Sequence, residues 1–289
     1  MADQAHVLLR DVTLRDGLQN ESVFVPTKIK RILVDRIIAC GFRSLEVTSF
    51  VRKDRVPALR DADELAQSLP VYPGVEYRAL VPNRRGMQRF LAGKTETAVL
   101  FLSASPLHNQ ANVQRTTEES LAEIISLIRL AEENGRRAAG AIATAFVCPY
   151  AGVVPYSRLE RIAEALAESG VKEMSLADTS GQATPDLVYE RCVSLKKQFP
   201  MLELSLHLHD AKGYGLRNML AGIEAGVCTF DVAQGGLGGC PFVPDAPGNL
   251  TSRSVLECLA ERGIATDLDY KNVCQLEEYV LRIMKRRNE

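Results

Sequence analysis

Residues Leu202–Asp210, L-E-L-S-L-H-L-H-D, show the pattern that decides the fold: an apolar run that ends in a polar cluster and is followed by a stretch of helical period. Seven other short apolar runs are followed by helical stretches in the same way. The eight candidate strands are Val7–Leu14, Ser44–Thr48, Val75–Val81, Thr97–Ser103, Ala138–Thr144, Glu173–Ala177, Leu202–His207 and Thr229–Ala233. Eight successive βα units predict an α/β protein with the architecture of a TIM (β/α)8 barrel.

The helical stretches carry their own start and stop signals. Thr27–Cys40 has an apolar face and ends before a glycine, and Thr116 with Glu119 forms a capping box. Lys271–Arg286 predicts an extra C-terminal helix. A length of 289 residues allows two small domains or one barrel. Because no low-complexity linker interrupts the chain, we interpret residues 1–289 as a single barrel domain.

Composition bears on the partners and the compartment. The chain has 35 Lys and Arg against 36 Asp and Glu, so its net charge of −1 gives no electrostatic reason to expect nucleic acid or an anionic membrane. The opening residues are too charged for a signal peptide, and no apolar run approaches the ~20 residues of a membrane helix. We therefore expect a soluble, cytoplasmic protein.

The seven cysteines agree with that expectation. They are odd in number, scattered and without a C-x-x-C pair, which favours reduced thiols over a disulfide framework. Cys40, Cys192 and Cys258 lie in helical patterns and are expected in the core. Cys240 differs, because it follows the glycine-rich run at 235–239 just after the eighth strand. A loop of that kind can form a mobile lid or a phosphate nest, and its thiol could act as an acid when the loop closes.

Polar residues recur at the ends of the candidate strands, where α/β barrels place their reacting groups. His207 and His209 project to the same side of strand seven because side chains alternate along a strand. With Asp16, which follows strand one, they would suit a divalent metal such as Mg²⁺ or Mn²⁺, while Zn²⁺ and Fe²⁺ remain open. The alternative is that the two histidines are ordinary core or surface residues.

Six motifs together closely resemble the 3-hydroxy-3-methylglutaryl-CoA (HMG-CoA) lyase family of metal-dependent TIM-barrel lyases and aldolases. The matches run in order from about Asp11 to Gly263, and the combination of R-D-G-L-Q-N-E with G-L-G-G-C-P is specific. The motifs are D-V-T-L-R-D-G-L-Q-N-E (Asp11–Glu21), L-E-V-T-S-F-V (Leu45–Val51), C-P-Y-x-G (Cys148–Gly152), S-L-x-D-T-x-G (Ser175–Gly181), H-x-H-D (His207–Asp210), and G-G-L-G-G-C-P-F with P-G-N (Gly235–Phe242, Pro247–Asn249).

The resemblance implies roles for individual residues. The implied metal ligands are Asp16, His207, His209 and Asn249. Arg15 corresponds to the arginine that stabilises an enolate oxygen, and Cys240 to the catalytic thiol of a mobile loop. The further active-site positions are Gln19, Glu46 and Asp178. An acyl-CoA substrate and a homo-oligomer, most simply a dimer, are also implied.

The chain departs from the family pattern at strand five. Ala139 and Ala141 stand where the family's R-G-Y segment has arginine and tyrosine, and T-L-R-D-G replaces the usual G-P-R-D-G. Because the two alanines are two residues apart, we expect both to line the site from one side of strand five and to enlarge it. The leading hypothesis is retro-Claisen cleavage of HMG-CoA, or a close analogue, to acetyl-CoA and acetoacetate or the matching oxo acid. One alternative is a related lyase or aldolase acting on another β-hydroxyacyl-CoA or a 4-hydroxy-2-oxo acid. The other is a non-catalytic metal-binding scaffold.

Overall fold

The fold is a closed barrel of eight parallel strands, seen in a computed structural model that describes residues 6–239 and 248–288. The predicted TIM barrel is confirmed. The barrel strands are β1 (Leu8–Asp11), β2 (Ser44–Ser49), β3 (Glu76–Leu80), β4 (Thr97–Ser103), β5 (Arg137–Ala143), β8 (Glu173–Asp178), β9 (Glu203–Leu208) and β10 (Thr229–Val232). A two-stranded hairpin of β6 (Val147–Cys148) and β7 (Gly152–Val153) follows β5 outside the barrel.

Helices surround the barrel and cover the outward apolar faces of its strands. They are α1 (Thr27–Ala39), α2 (Ala62–Ser68), α3 (Arg84–Leu91), α4 (Pro106–Val113), α5 (Thr117–Glu133), α6 (Tyr156–Glu168), α7 (Pro185–Gln198), α8 (Gly215–Glu224), α9 (Ser252–Ala260) and α10 (Tyr270–Asn288). Helix α10 is the predicted extra C-terminal helix, and it packs against α9 and α1. No helix among the described residues is long and apolar enough to cross a membrane.

Local sequence signals explain several element boundaries. The Thr116 side chain accepts a hydrogen bond from the Glu119 amide at 3.1 Å, and the Glu119 carboxylate accepts one from the Thr116 amide at 2.9 Å. The predicted capping box that opens α5 is therefore confirmed. Pro185 occupies the first turn of α7, where a missing N–H leaves no hydrogen bond unmade.

The barrel interior holds a layer of ion pairs as well as apolar side chains. Arg10 and Arg78 both pair with Glu173, at 2.6 and 2.7 Å. Arg10 also donates to Asp231 at 3.2 Å, because the register of β1 and β10 sets these two residues side by side. Both arginines are less than 5% exposed, and the paired carboxylates compensate their charges inside the protein. This layer fixes Asp231 beneath the carboxyl ends of the strands.

The first strand is shorter than predicted. We expected it to run to Leu14, but β1 ends at Asp11, and Thr13–Gly17 forms a single π-helical turn. The predicted core positions of Cys40, Cys192 and Cys258 are confirmed, since all three are buried.

Candidate metal centre and active site

The π-helical turn after β1 places Arg15 and Asp16 at the mouth of the barrel. The Gly17 amide donates to the Val12 carbonyl at 3.1 Å, five residues back, and the Asp16 amide donates to the same oxygen at 2.8 Å. The wider turn redirects the chain inward directly after the strand, so both charged side chains are buried. Single π-helical turns of this kind are frequent at functional sites.

Arg15 is held between two carboxylates. Its Nε donates to Glu46 Oε1 at 2.5 Å, and its Nη1 donates to Asp16. Burial opposes a charge on Arg15, but the Glu46 and Asp16 carboxylates outweigh it and raise its pKa. Burial likewise opposes ionisation of Asp16, yet the charge of Arg15 and the two histidines hold the pKa of Asp16 well below its usual value. The site therefore contains a fixed guanidinium beside an ionised carboxylate.

Three ligand atoms converge at this point. The Nε2 atoms of His207 and His209 lie 3.2 Å apart, and each lies 3.8 Å from Asp16 Oδ2. A group of ligand atoms from these three buried residues, one from each, lies within 4.8 Å of one another. The sequence alternation that placed both histidines on one side of their strand is thus confirmed.

The Nδ1 atoms of both histidine rings already have hydrogen-bond partners. His209 Nδ1 lies 3.1 Å from the Thr179 carbonyl, which can only accept, so this nitrogen carries the proton. His207 Nδ1 lies 3.0 Å from Asp231 Oδ2, and the charge of Arg10, against burial, keeps the pKa of Asp231 low, so this nitrogen also donates. When both rings are neutral, each then points an Nε2 lone pair at the other ring. Burial opposes a proton on His207, but its hydrogen bond to Asp231 and the charge of Asp16 raise its pKa, so a cation or a proton is favoured between the two Nε2 atoms. Metal-ligating histidines show this arrangement, with the far N–H fixed by a carboxylate or carbonyl.

Asn249 and Gln19 complete the surroundings of Asp16. Asn249 Nδ2 donates to Asp16 Oδ2 at 2.7 Å and to the Leu237 carbonyl at 2.8 Å. Asn249 Oδ1 is buried and has no hydrogen-bond partner among the described residues. Gln19 Nε2 donates to Asp16 Oδ1 at 2.8 Å and, at 3.3 Å, to the Gly239 carbonyl. The glycine-rich segment before Cys240 therefore contacts the same cluster.

These donors fit a divalent metal ion. Two facing imidazole lone pairs repel each other unless a proton or a cation lies between them, and the Asp16 carboxylate lies 3.8 Å from both nitrogens. The Asn249 amide contacts the same carboxylate through its nitrogen, and its buried oxygen has no hydrogen-bond partner among the described residues. Mixed nitrogen and oxygen donors of this kind suit Mg²⁺, Mn²⁺, Fe²⁺ or Zn²⁺.

Asp178 lies apart from the cluster. It is fully buried at the end of β8, and its carboxylate accepts from the amides of Gln182 at 3.3 Å and Ala183 at 3.0 Å. Burial raises its pKa to about 6 against these hydrogen bonds and the charge of His209. Asp178 does not line the cavity that Arg15, Glu46 and the histidines share.

Comparison with known proteins decides the family. The family model described as HMGL-like matches residues 6–280. The chain belongs to the HMGL-like family. It is 36% identical to hydroxymethylglutaryl-CoA lyase YngG of Bacillus subtilis, over 95% of this chain and 92% of that protein. It is 30% identical to the mitochondrial hydroxymethylglutaryl-CoA lyase of Homo sapiens, over 97% of this chain and 86% of that protein. The resemblance predicted from the motifs is confirmed, and the protein is a lyase.

Solved structures of HMG-CoA lyases share the fold. The crystal structure of the Bacillus subtilis enzyme matches with a TM-score of 0.94 and 35% identity, covering 99% of this chain and 96% of that one. An HMG-CoA lyase of Acinetobacter baumannii, in complex with coenzyme A and 3-methylmalate, matches with a TM-score of 0.93 and 33% identity, covering 97% and 92%.

In this HMGL-like lyase the cluster opens into a cavity of about 190 Å³ inside the barrel mouth. One side of the cavity is polar and carries Arg15, Asp16 and the histidines. The other side is largely apolar and comes from β3, β4 and β5. The expectation that both Ala139 and Ala141 line the site is wrong for Ala139. Ala139 is buried deeper along β5, whereas Ala141 lines the cavity.

The sequence reasoning missed the groups that hold the ligands. Asp231 and the Thr179 carbonyl, which set the ring protons of the two histidines, were not anticipated. Asp231 had a signal, because it lies near the end of the last barrel strand, but its role depends on a contact between strands. Cys240 lies outside the described residues, so its role stays a prediction.

Proposed function

We propose that this HMGL-like lyase cleaves HMG-CoA to acetyl-CoA and acetoacetate in a metal-dependent retro-Claisen reaction. The observation that carries the proposal is the buried group of Asp16, His207 and His209 beside Arg15. The names of the relatives point to the same substrate, and the coenzyme A in the Acinetobacter structure supports an acyl-CoA ligand.

We assign the metal to Asp16, His207, His209 and Asn249, with Mg²⁺ or Mn²⁺ as the native ion. Carboxylate and amide oxygens favour these hard ions, and the two imidazoles also admit Zn²⁺ or Fe²⁺. When bound, a divalent ion supplies a Lewis acid that lowers the pKa of the substrate's tertiary hydroxyl group.

The remaining residues stabilise negative charge and transfer protons. Arg15 would bind the thioester oxygen and stabilise the negative charge that develops there as the C–C bond breaks. Gln19 and Glu46 hold Asp16 and Arg15 in place. Both histidine Nε2 atoms are assigned to the metal, and Asp178 does not line the cavity. We therefore propose that Asp178, with a pKa of about 6, accepts the hydroxyl proton through an intervening water.

We assign the final proton to Cys240. Its thiol would protonate the enolate carbon of the leaving acetyl-CoA once the loop covers the site. We expect Cys240→Ser to lower kcat by about 100-fold, the scale of a lost general acid, with little change in metal affinity. Turnover and metal content measured on the same preparation test this, and near-normal kcat would leave Cys240 a structural thiol.

The overall proposal is tested with HMG-CoA and metal-stripped protein. We expect no cleavage without metal and stoichiometric acetyl-CoA and acetoacetate after addition of Mg²⁺ or Mn²⁺. His207→Ala should lose most bound metal and activity while remaining folded. Cleavage of a 4-hydroxy-2-oxo acid, without cleavage of the thioester, would show that the protein is an aldolase instead. Metal binding with no cleavage of either class would indicate a scaffold.

We propose further that the protein acts in the cytoplasm as a homodimer. The reduced state expected for the seven cysteines supports the compartment. The family resemblance implies the homodimer. Light scattering of the purified protein measures the assembly, and a monomeric mass would contradict it.

A further inference from the structure

The cavity has an apolar side opposite the metal ligands. Three neighbouring strands contribute its lining, and every contributing side chain on these strands above the ion-pair layer is apolar. These residues are Leu80 on β3, Val99 and Phe101 on β4, and Ala141 and Ala143 on β5. Phe101, Ala141 and Ala143 are only half-buried although they lie inside a barrel. Apolar surface therefore faces open space within the protein.

The open space comes from the small side chains on β5. Barrel interiors are normally filled by bulky branched residues in layers. On β5 the inward positions of the cavity carry Ala141 and Ala143, so methyl groups stand where a filled layer would have large side chains. Gly140 does not enlarge this space, because a Cβ built there meets the side chain of Leu166 on helix α6 at 2.8 Å.

The arginines at the floor of the cavity are already paired with carboxylates, although Arg78 Nε has no hydrogen-bond partner among the described residues. Arg78 lines the cavity, but its two terminal nitrogens already donate to the carboxylate oxygens of Glu173 at 2.7 and 2.9 Å. Arg10 is similarly engaged by Glu173 and Asp231. An apolar group, in contrast, gains by displacing water from the alanine and phenylalanine surface.

We propose that the preferred substrates are 3-hydroxy-3-alkylglutaryl-CoA thioesters whose alkyl group at C3 is larger than methyl. The inference rests on the proposed retro-Claisen function and names the substrate class of that site. The thioester oxygen faces Arg15, the hydroxyl and carboxylate groups face the metal ligands, and the alkyl group packs against Val99, Phe101 and Ala141. Burial of one CH₂ contributes about 0.8 kcal/mol, or about fourfold in kcat/KM.

The test is a series of thioesters with methyl, ethyl, propyl and butyl groups at C3, assayed on the metal-loaded enzyme. We expect kcat/KM to rise about fourfold per carbon from methyl to propyl. Ala141→Val should lower the propyl-to-methyl ratio, and Ala141→Phe should lower it by tenfold or more. Ala138→Val is the matched control, since it makes the same change three residues away on the opposite face of β5 and should preserve the ratio.

Circular dichroism and metal content test whether each variant is folded. If Ala141→Phe does not fold, the propyl-to-methyl ratio of Ala141→Val tests the inference. No cleavage of any thioester would overturn the proposed function itself. Cleavage that is fastest with the methyl compound, with a ratio insensitive to Ala141→Val, would overturn this inference and leave the function intact.

Discussion

At the scale of single residues, Asp231 controls which nitrogen of His207 is free. Its carboxylate accepts the Nδ1 proton at 3.0 Å and is itself held by Arg10 at 3.2 Å. The free Nε2 lone pair therefore depends on an acceptor that the metal does not touch. Because the contact joins two different strands, spacing along one strand could not predict this role of Asp231.

Asp231→Asn should weaken metal binding by about 10- to 100-fold, because an amide removes the charge and can donate to Nδ1, which places the ring proton on Nε2. Calorimetric titration of metal-free protein with Mn²⁺ measures this directly. Asp267→Asn is the matched control, since Asp267 forms an exposed 3.1 Å pair with His6 far from the site. Equal affinities in the two variants would contradict the role of Asp231.

Asp11 gives a pH-dependent stability. Burial raises its pKa from 3.8 to about 6, although the side chain of Gln234 and the amide and hydroxyl of Thr13 donate to it. Between about pH 4 and 6 the folded state is therefore protonated while the unfolded state is ionised. This contribution to stability is present at low pH and is lost as the pH rises through 6.

We therefore expect the free energy of unfolding of the wild type, relative to Asp11→Asn, to fall by about 1 kcal/mol from pH 5 to pH 7. Urea denaturation of both proteins at these two pH values measures the difference, since all other titrating groups are shared. A constant difference between the two proteins would show that Asp11 is ionised throughout.

At the scale of elements, the glycine-rich segment after β10 acts as a wall of the metal centre. Gly238 has φ +113°, and a Cβ there would collide with Asn249 Nδ2 and lie 2.7 Å from Asp16 Oδ2. A side chain at this position must therefore displace two of the assigned ligands.

Gly238→Ala should lower metal affinity and activity by at least tenfold. Gly263→Ala is its control, because Gly263 also has positive φ, +65°, but nothing lies within 4 Å of a Cβ there. The control should lose ~1–2 kcal/mol of stability from backbone strain and retain metal binding. Equal metal loss in both variants would attribute the effect to strain alone.

Individual strands differ in how far their geometry can be predicted from the sequence. The facing of His207 and His209 follows from local alternation along one strand, so it was predictable. The end of β1 was not, because the π-helical turn depends on which amides share the Val12 carbonyl. Ala139 was placed in the cavity wrongly, since depth in a barrel depends on how β5 is staggered against its neighbours, which spacing along one strand does not give.

At the scale of the whole molecule, the assigned ligands join distant parts of the chain. Asp16 follows the first barrel strand, the histidines lie on or just after β9, and Asn249 follows the last strand, where it pairs with His209 in an isolated bridge. These segments are neighbours only because β1 pairs with β10 and closes the barrel. One bound ion would therefore link the closure of the barrel to the site.

Metal removal should consequently destabilise the folded protein. An ion present at 100 times its Kd adds about 2.7 kcal/mol to the free energy of unfolding if the unfolded chain does not bind it. For a chain of 289 residues that corresponds to roughly 4–5 °C in Tm. We expect a chelator to lower the Tm of the wild type by that amount and to leave His207→Ala unchanged, as measured by calorimetry with and without Mn²⁺. An equal shift in both proteins would mean that the ion binds elsewhere, and no shift in the wild type would mean that the ligand cluster does not hold a metal in the folded state.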